Sequence, residues 1–342
     1  MIASSPRPRS RRVLAASSVA LLYAIVAASA WVTLAPSAWA VDARRNLAAA
    51  DALVAGTFGS VEGYLYSPLA ALVTVPFTWL PEGAAIGAWL LLKVAVMAGG
   101  TLVILRGRPH AERIAAVVVA IGFLPILYDL ELGNVTVPLV AAIAVMAWCD
   151  DSYVAGVPLG IALATVPKPQ LIPILVWMLL FRRRALVGAL VTAAGATGCA
   201  ILVLGLDPYR LWVEALRAPA YLQGSQAGNS SLWTLPQPAA AIAAIAAVGA
   251  TLFALRRGQW PGLTAALCLG VLVAPYTFVY AAGVLLCVVP SVWLSSPRVL
   301  LGLAVSAPVG LVFAMPAWVA AVLAASVVLP AGSWRAPGSP DA

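Results

Sequence analysis

Residues 182–206 read RRRALVGALVTAAGATGCAILVLGL, three arginines followed by an apolar run with no charged residue before Asp207. A run of this length can cross a bilayer, which takes about 20 residues of α-helix. Similar apolar runs recur along the chain, centred for example near Ile25, Val94 and Ala244. Because a backbone inside a bilayer must satisfy its own hydrogen bonds, the pattern predicts an all-α fold, a polytopic transmembrane helical bundle.

The composition supports this prediction. Of the 342 residues, 63% are hydrophobic and 9% are charged, against roughly 45–50% and about 25% in a soluble domain. A soluble enzyme, a DNA-binding domain and a disulfide scaffold are therefore excluded. Several apolar runs are short or broken by proline, so we expect about 10–13 membrane segments.

The net charge of +8 comes from basic residues that lie between apolar runs, so we interpret it as a topology signal rather than a nucleic-acid site. Clusters around Arg106, Arg182 and Arg256 are predicted to be cytoplasmic. Residues 1–12 are predicted to be a basic cytoplasmic N-terminus, 13–335 a single integral membrane domain that begins with an uncleaved helix, and 336–342 a disordered tail. We expect a multi-pass protein of the plasma (inner) membrane.

The same reasoning places two long segments on the external side. The segment 42–66 has Asp42 as a plausible N-cap and Gly56 as a stop signal, which predicts a short surface helix. The segment 207–231 mixes aromatic and charged residues and predicts a second amphipathic interfacial helix. Two such segments over a bundle could roof a pocket that is open to lipid. Between them, residues 66–80 are short and interrupted by proline, so we expect them to dip into the membrane or line a cavity rather than cross the membrane.

Ionisable residues at the edge of apolar runs are candidate functional groups. Asp42 could cap its helix, face a cleft, or do both. Lys168 lies between Pro167 and Pro169 and is one of two lysines in the chain. Its ammonium could hold an anionic group, or it could mark topology and extend towards the interface.

Other polar residues leave alternatives open. Asp129 and Glu131 are one residue apart, but a metal site would need more ligands than these two. Asn229 and Trp233 could bind and stack on a sugar, or Asn229 could simply cap a helix. His110 is the single histidine and lies in a basic loop, so a histidine triad or multi-histidine metal site has no second candidate. We predict no metal and no cofactor.

Taken in order, several short motifs resemble glycosyltransferase family 87, whose members have the GT-C fold and transfer mannose from polyprenyl-phosphate mannose. Asp42 begins a surface helix, and the Lys-Pro followed by an arginine cluster is the most specific feature. The motifs are YLYSPLAAL (64–72), GNVT (133–136), KPQ followed by an apolar run and RRR (168–184), NSSL (229–232) and APYTFVY (274–280).

The resemblance implies that Asp42 is the catalytic base. The family's Tyr-Pro-Pro-Leu and Gly-Gln-x-Asn appear as residues 66–69 and 133–136, and its Lys-Pro matches Lys168 and Pro169. The histidine often found after the late Ser-Pro is absent around 275–280.

Glycosyl transfer needs a base for the acceptor hydroxyl and cations or hydrogen-bond donors for the leaving phosphate. One carboxylate without a partner nucleophile suggests an inverting single displacement. The predicted partners are a polyprenyl-phosphate sugar donor, a glycolipid or glycan acceptor and membrane lipids, with no nucleic acid. The predicted site comprises Asp42 as base, Lys168, Arg210, Arg217 and Tyr66 at the donor phosphate, and Asn134, Asn229, Trp233 and Tyr276 at the substrate.

Two other functions fit parts of the sequence. A transporter or lipid-carrier flippase should show inverted halves with matching broken helices, and no such symmetry is found. An inactive relative that serves in an assembly is the third hypothesis.

Overall fold

The computed structural model describes residues 39–61, 63–217, 229–275, 277–288, 306–307, 310 and 314–329. Within these ranges the chain is helical and contains no strand, which confirms the all-α prediction. The predicted first membrane helix, the tail after residue 335 and Tyr276 lie outside the described residues.

The α-helices are numbered here in chain order, and short 3-10 helices connect some of them. The α-helices are α1 Val41–Val54, α2 Pro68–Thr78, α3 Glu82–Ile104, α4 His110–Gly122, α5 Leu124–Leu132, α6 Thr136–Trp148, α7 Tyr153–Thr165, α8 Ile172–Phe181, α9 Arg183–Leu204, α10 Asp207–Leu216, α11 Gln237–Arg257, α12 Gln259–Val273 and α13 Met315–Val328. The 3-10 helices are Phe58–Ser60, Pro169–Leu171, Leu232–Thr234 and Val279–Val288.

Three of the described helices, α3, α9 and α11, are long and apolar enough to cross a membrane by length and composition. The other apolar helices are shorter, so the expected number of membrane segments stays a prediction. The core is built around α6, α8 and α12, whose buried side chains form one continuous apolar cluster. Helices α7 and α9 pack in backbone contact, because side chains at Gly156 and Gly188 would overlap the facing carbonyls of Ala185 and Tyr153.

The bundle has two chemically distinct ends. Helix α6 has 13 residues and is therefore about 20 Å long. The loop before it contacts Asp42 and Lys168, whereas its last turn meets the Arg182 guanidinium, which donates to the carbonyls of Ala147 (2.8 Å) and Cys149 (3.0 Å). Helix α8 begins just after Lys168 and ends next to Arg182. The Asp42/Lys168 end and the arginine end are thus opposite ends of the bundle.

Helix α2 starts and finishes at the Asp42/Lys168 end. Just before it, Ser67 donates through its hydroxyl to the carbonyl of Ala164 (2.5 Å). Just after it, Glu82 pairs with Arg44 of α1 (2.6 Å). The helix has 11 residues, about 16 Å, which is too short to cross a bilayer. That residues 66–80 dip into the membrane or line a cavity stays a prediction.

Two of the predicted helices are found, with one correction. Helix α1 stops at Val54 and is followed by Gly56 at φ 74°, as the stop signal predicts, and α10 is a helix with no buried residue. The N-cap prediction for Asp42 is wrong. The N-cap is Ala40, whose left-handed backbone (φ 55°) starts the helix without a side-chain hydrogen bond, and Asp42 is the second helical residue.

Candidate active site

One amide joins the two charged groups that the sequence singles out. The Nδ2 of Asn134 donates to Oδ2 of Asp42 at 2.6 Å, and the Oδ1 of Asn134 accepts from Nζ of Lys168 at 3.5 Å. Asp42 is in the first turn of α1, Asn134 is in the turn between α5 and α6, and Lys168 is between α7 and α8. Three parts of the chain, far apart in sequence, therefore meet at this cluster, which we name the Asp42–Asn134–Lys168 cluster.

Gly133 explains why α1 can approach this turn so closely. It ends α5 at φ 71°, and a Cβ at this position would overlap the Cβ of Ala43. Two further hydrogen bonds fix the contact, from Trp89 Nε1 to the carbonyl of Gly133 (2.8 Å) and from the amide of Ala40 to the carbonyl of Glu131 (2.7 Å). The start of α1 is therefore docked on the α5–α6 turn.

The carboxylate of Asp42 is partnered on both oxygens yet reaches the surface. Its Oδ1 accepts from Nη1 of Arg45 at 3.1 Å, and its side chain is 16% exposed. A carboxylate in the first turn of a helix is also stabilised by the positive end of the helix dipole. The side chain of Asp42 is therefore held in place while a ligand can still reach it.

Lys168 lies among aromatic rings. Its Nζ is 5.2 Å from the ring centroid of Tyr280 and 5.9 Å from that of Tyr66, distances at which an ammonium is attracted to the ring face. Burial lowers the pKa of Lys168 to about 8, although the carboxylates of Asp129 and Asp42 act in the opposite direction. The ammonium is therefore charged at neutral pH and positioned to hold an anion.

Asn134 is predicted to bind substrate, and this stays a prediction; in the structure both polar atoms of its amide contact other protein groups. Its Oδ1 also accepts from the amide of Val135 (2.7 Å) and the hydroxyl of Thr136 (3.4 Å). Since both polar atoms of the amide are bonded within the protein, Asn134 is placed to link Asp42 and Lys168.

Asn229 and Trp233 lie next to the segment that leads to Tyr280. The Oδ1 of Asn229 accepts from the amides of Ser231 (3.1 Å) and Thr277 (2.9 Å), and its Nδ2 donates to the carbonyl of Pro275 (3.3 Å). The indole of Trp233 donates to the carbonyl of Val273 (2.7 Å), and the residue is 46% exposed. Both residues organise this segment, and their contact with substrate stays a prediction.

Arg210 and Arg217 are both exposed on α10 or at its end, and Arg210 pairs with the exposed Asp207 at 3.3 Å. The structure does not bring either into the Asp42–Asn134–Lys168 cluster. Helix α10 itself is anchored next to Tyr66, because the indole of Trp212 donates to the carbonyl of Leu65 (2.9 Å). The two segments predicted to be external therefore touch each other beside the cluster.

Sequence reasoning missed two features. The ring of Tyr280 lies 5.2 Å from Nζ of Lys168, whereas the predicted substrate-binding residue of the same motif, Tyr276, lies outside the described residues. Lys93 and Asp129 form a fully buried ion pair at 2.7 Å, and the only sequence signal for Lys93 is a lone charge inside an apolar run. Among the described residues, no group of three or more His, Cys, Asp or Glu side chains could hold a metal.

The model of glycosyltransferase family 87 matches residues 64–297, more than half of the chain. The matched range includes Tyr66, Asn134, Lys168 and Asn229 and begins after Asp42. No curated protein and no solved structure is significantly similar to the chain.

Proposed function

The chain belongs to glycosyltransferase family 87, and we propose that it transfers mannose from a polyprenyl-phosphate donor to a hydroxyl of a lipid-linked or glycan acceptor. The reaction takes place at the external face of the plasma membrane, at the Asp42–Asn134–Lys168 cluster. The observation that carries this proposal is that a carboxylate and an ammonium bind opposite atoms of one amide.

In the proposed reaction Asp42 takes the proton of the acceptor hydroxyl. The acceptor oxygen forms a bond to the anomeric carbon as the bond from that carbon to the phosphate oxygen breaks, and polyprenyl phosphate leaves with the electron pair. General-base assistance of this kind contributes ~10²–10⁴-fold to the rate. One direct displacement inverts the configuration of the anomeric carbon.

Lys168 stabilises the leaving phosphate in this scheme. Its ammonium is a compact cation with three donors, and it lies 5.9 Å from the ring centroid of Tyr66 and 5.2 Å from that of Tyr280. Charge that develops on the phosphate in the transition state is stabilised more strongly in such a site than in water. Tyr66 could contribute a further hydroxyl donor.

A lipid-linked donor agrees with the surroundings of the cluster. Apolar helices long enough to cross a membrane, α3 and α9, belong to the same bundle. A donor dissolved in the bilayer reaches a site at the end of such a bundle by lateral diffusion. The sequence contains no P-loop and no GxGxxG motif that would favour a nucleotide-linked sugar.

The test is a transfer assay with purified protein in lipid vesicles, polyprenyl-phosphate mannose labelled in the sugar and a native lipid extract. The proposal predicts a new labelled glycolipid, and no product when a nucleotide-linked mannose replaces the lipid donor. If the label stays on polyprenyl phosphate, transfer from this donor is wrong. Label that moves across the bilayer while attached to its carrier would indicate a flippase.

A further inference from the structure

A buried ion pair lies beneath the Asp42–Asn134–Lys168 cluster. Lys93 is in the middle of α3 and Asp129 is in α5, both side chains are 0% exposed, and their Nζ and Oδ2 atoms are 2.7 Å apart. Ionised residues inside a membrane helix are costly and are usually retained for function. Removing one partner of a buried pair leaves an uncompensated charge, while replacing both is often neutral for stability.

Asp129 accepts hydrogen bonds from Asn134 and from the residues that follow it, and so fixes the turn that carries Asn134. Its carbonyl accepts from Nζ of Lys93 (2.8 Å) and from the amide of Asn134 (3.1 Å). Its Oδ1 accepts from the amides of Thr136 (2.9 Å) and Val137 (3.2 Å). Asp129 thus caps the start of α6, while Lys93 binds both its carboxylate and its carbonyl.

We propose that the Lys93–Asp129 ion pair is a positioning device that keeps Asn134, and through it Asp42 and Lys168, in one fixed arrangement. Neither Lys93 nor Asp129 needs to touch substrate for this role. The proposal rests on the proposed function only for the parts that Asp42 and Lys168 play in catalysis.

Charge effects must be separated from positioning. The groups that act electrostatically on Lys168 are the carboxylates of Asp129 and Asp42, which raise its pKa, and the ammonium of Lys93, which lowers it; the rings of Tyr66 and Tyr280 face it as well. A variant that removes one charge would move the pKa of Lys168 even without any change in position.

Two double variants remove the same two charges and differ in whether residue 129 keeps a side-chain carbonyl oxygen, which belongs to a carboxamide in Asn and is missing in Ala. Lys93→Met/Asp129→Asn keeps an acceptor for the amides of Thr136 and Val137. Lys93→Met/Asp129→Ala removes this acceptor and frees the turn. A difference between the two variants therefore cannot come from charge.

The measurement is the rate of acylation of the Lys168 amine as a function of pH, followed by mass spectrometry on the purified protein without any donor. The midpoint is the pH at which this rate is half its maximum, where half of the Lys168 amines are deprotonated. In the Asn variant we expect the midpoint to stay within about half a pH unit of the wild-type value. In the Ala variant the freed turn admits water, and the midpoint should rise by at least about one unit towards the ~10.4 of an ordinary lysine. Turnover should fall at least about tenfold in the Ala variant and less than about threefold in the Asn variant.

Met97→Ala is the matched control, because Met97 is buried on α3 one turn after Lys93. It should lower Tm without moving the acylation midpoint of Lys168. The proposal is overturned if the Ala variant keeps the wild-type midpoint, or if the Ala and Asn variants shift equally. Since acylation requires no donor, a failed transfer assay with the expected midpoints would instead reject the proposed donor.

Discussion

Asp42 is the residue on which the proposed chemistry depends most. Asp42→Asn keeps the size of the side chain and removes its basicity, so turnover should fall at least ~100-fold. Because the pair with Arg45 is partly exposed, unfolding free energy should change by less than about 1 kcal/mol. Steady-state transfer rates and thermal unfolding check both expectations.

Asp51→Asn is the matched control, since Asp51 is an exposed carboxylate on the same helix. It should transfer at the wild-type rate. Near-normal turnover of the Asp42→Asn variant would reject Asp42 as the base.

Lys168 makes donor binding depend on pH. Its pKa is lowered by burial to about 8, and the phosphodiester of the donor does not titrate in this range. Donor affinity should therefore be constant below pH 8 and fall about tenfold per pH unit above it. Equilibrium binding of labelled donor from pH 6 to pH 10 measures this.

The contribution of Lys168 to the stability of the fold depends on pH in the opposite direction to donor affinity. Between pH 8 and the ~10.4 of an unperturbed lysine, the unfolded chain binds more protons at this residue, so the contribution of Lys168 to the stability of the fold rises with pH. Comparison of the wild type with Lys168→Met at each pH separates this contribution from those of other titrating groups. The Tm of the wild type minus the Tm of Lys168→Met should therefore rise from pH 8 to pH 10. A fall in this difference would contradict the lowered pKa of Lys168.

Substitution of Lys168 separates its charge from its shape. Lys168→Met should weaken donor binding at least about tenfold at pH 7 with little change in Tm, because methionine is an unbranched apolar side chain of similar length that can fill the same space. Lys168→Arg keeps its positive charge throughout the range from pH 6 to pH 10. Its donor affinity can differ from that of the wild type because the guanidinium is larger, but it should not change with pH in this range. Unchanged donor affinity in the Met variant would reject Lys168 as the group that binds the donor phosphate, and would leave only its role as a topology signal.

At the scale of single residues, the sequence predicts Asp42 and Lys168 because charges at the edge of apolar runs are rare. It does not predict Tyr280 or Lys93. Their contacts with Lys168 and Asp129 come from helices that are distant in the chain, and a tyrosine or a single lysine has no local pattern that specifies such a partner.

The approach of α1 to the α5–α6 turn depends on Gly133. Gly133→Ala requires a left-handed alanine, which costs ~1–2 kcal/mol, and its Cβ would overlap Ala43. The start of α1 must then move away from Asn134. We expect a lower Tm together with a larger loss of turnover than the loss of folded protein explains.

Gly83→Ala provides the comparison, because Gly83 is in the first turn of α3 and has open space around its Cβ position. It should retain both Tm and turnover. Wild-type turnover in Gly133→Ala would show that the close docking of α1 is not needed.

At the scale of elements, the sequence predicts α1, α10 and the short α2 from amphipathic patterns, glycine and proline. The sequence pattern places Asp42 wrongly at the N-cap. The N-cap is Ala40, whose left-handed backbone cannot be predicted from an alanine. The pattern also cannot predict that α10 packs beside Tyr66, since this contact combines the indole hydrogen bond of Trp212 to Leu65 with packing of Trp212 against the apolar cluster that contains Phe58 and Tyr64, which are distant in the chain.

At the scale of the whole molecule, the positive-inside rule separates the chain into two sets of loops, and the bundle separates the same sets in space. Arg182 is at one end of α6 and the Asp42–Asn134–Lys168 cluster is at the other. Composition is enough for this level of prediction because most charged residues lie between the apolar runs, with Lys93 as an exception. Which end faces the exterior stays a prediction from the rule alone.

The central claim is that this cluster forms one site on the external side of the membrane. Single cysteines can be introduced at exposed positions, in a background without the four native cysteines, and labelled on intact cells with a membrane-impermeant thiol reagent. Thr57, Pro167 and Thr234 report on the Asp42/Lys168 end, and Gly107 and Asp150 on the arginine end. We expect labelling at the first three positions and none at the last two until the cells are permeabilised. Labelling of Thr57 and Pro167 from opposite sides, or of both only after permeabilisation, would contradict it.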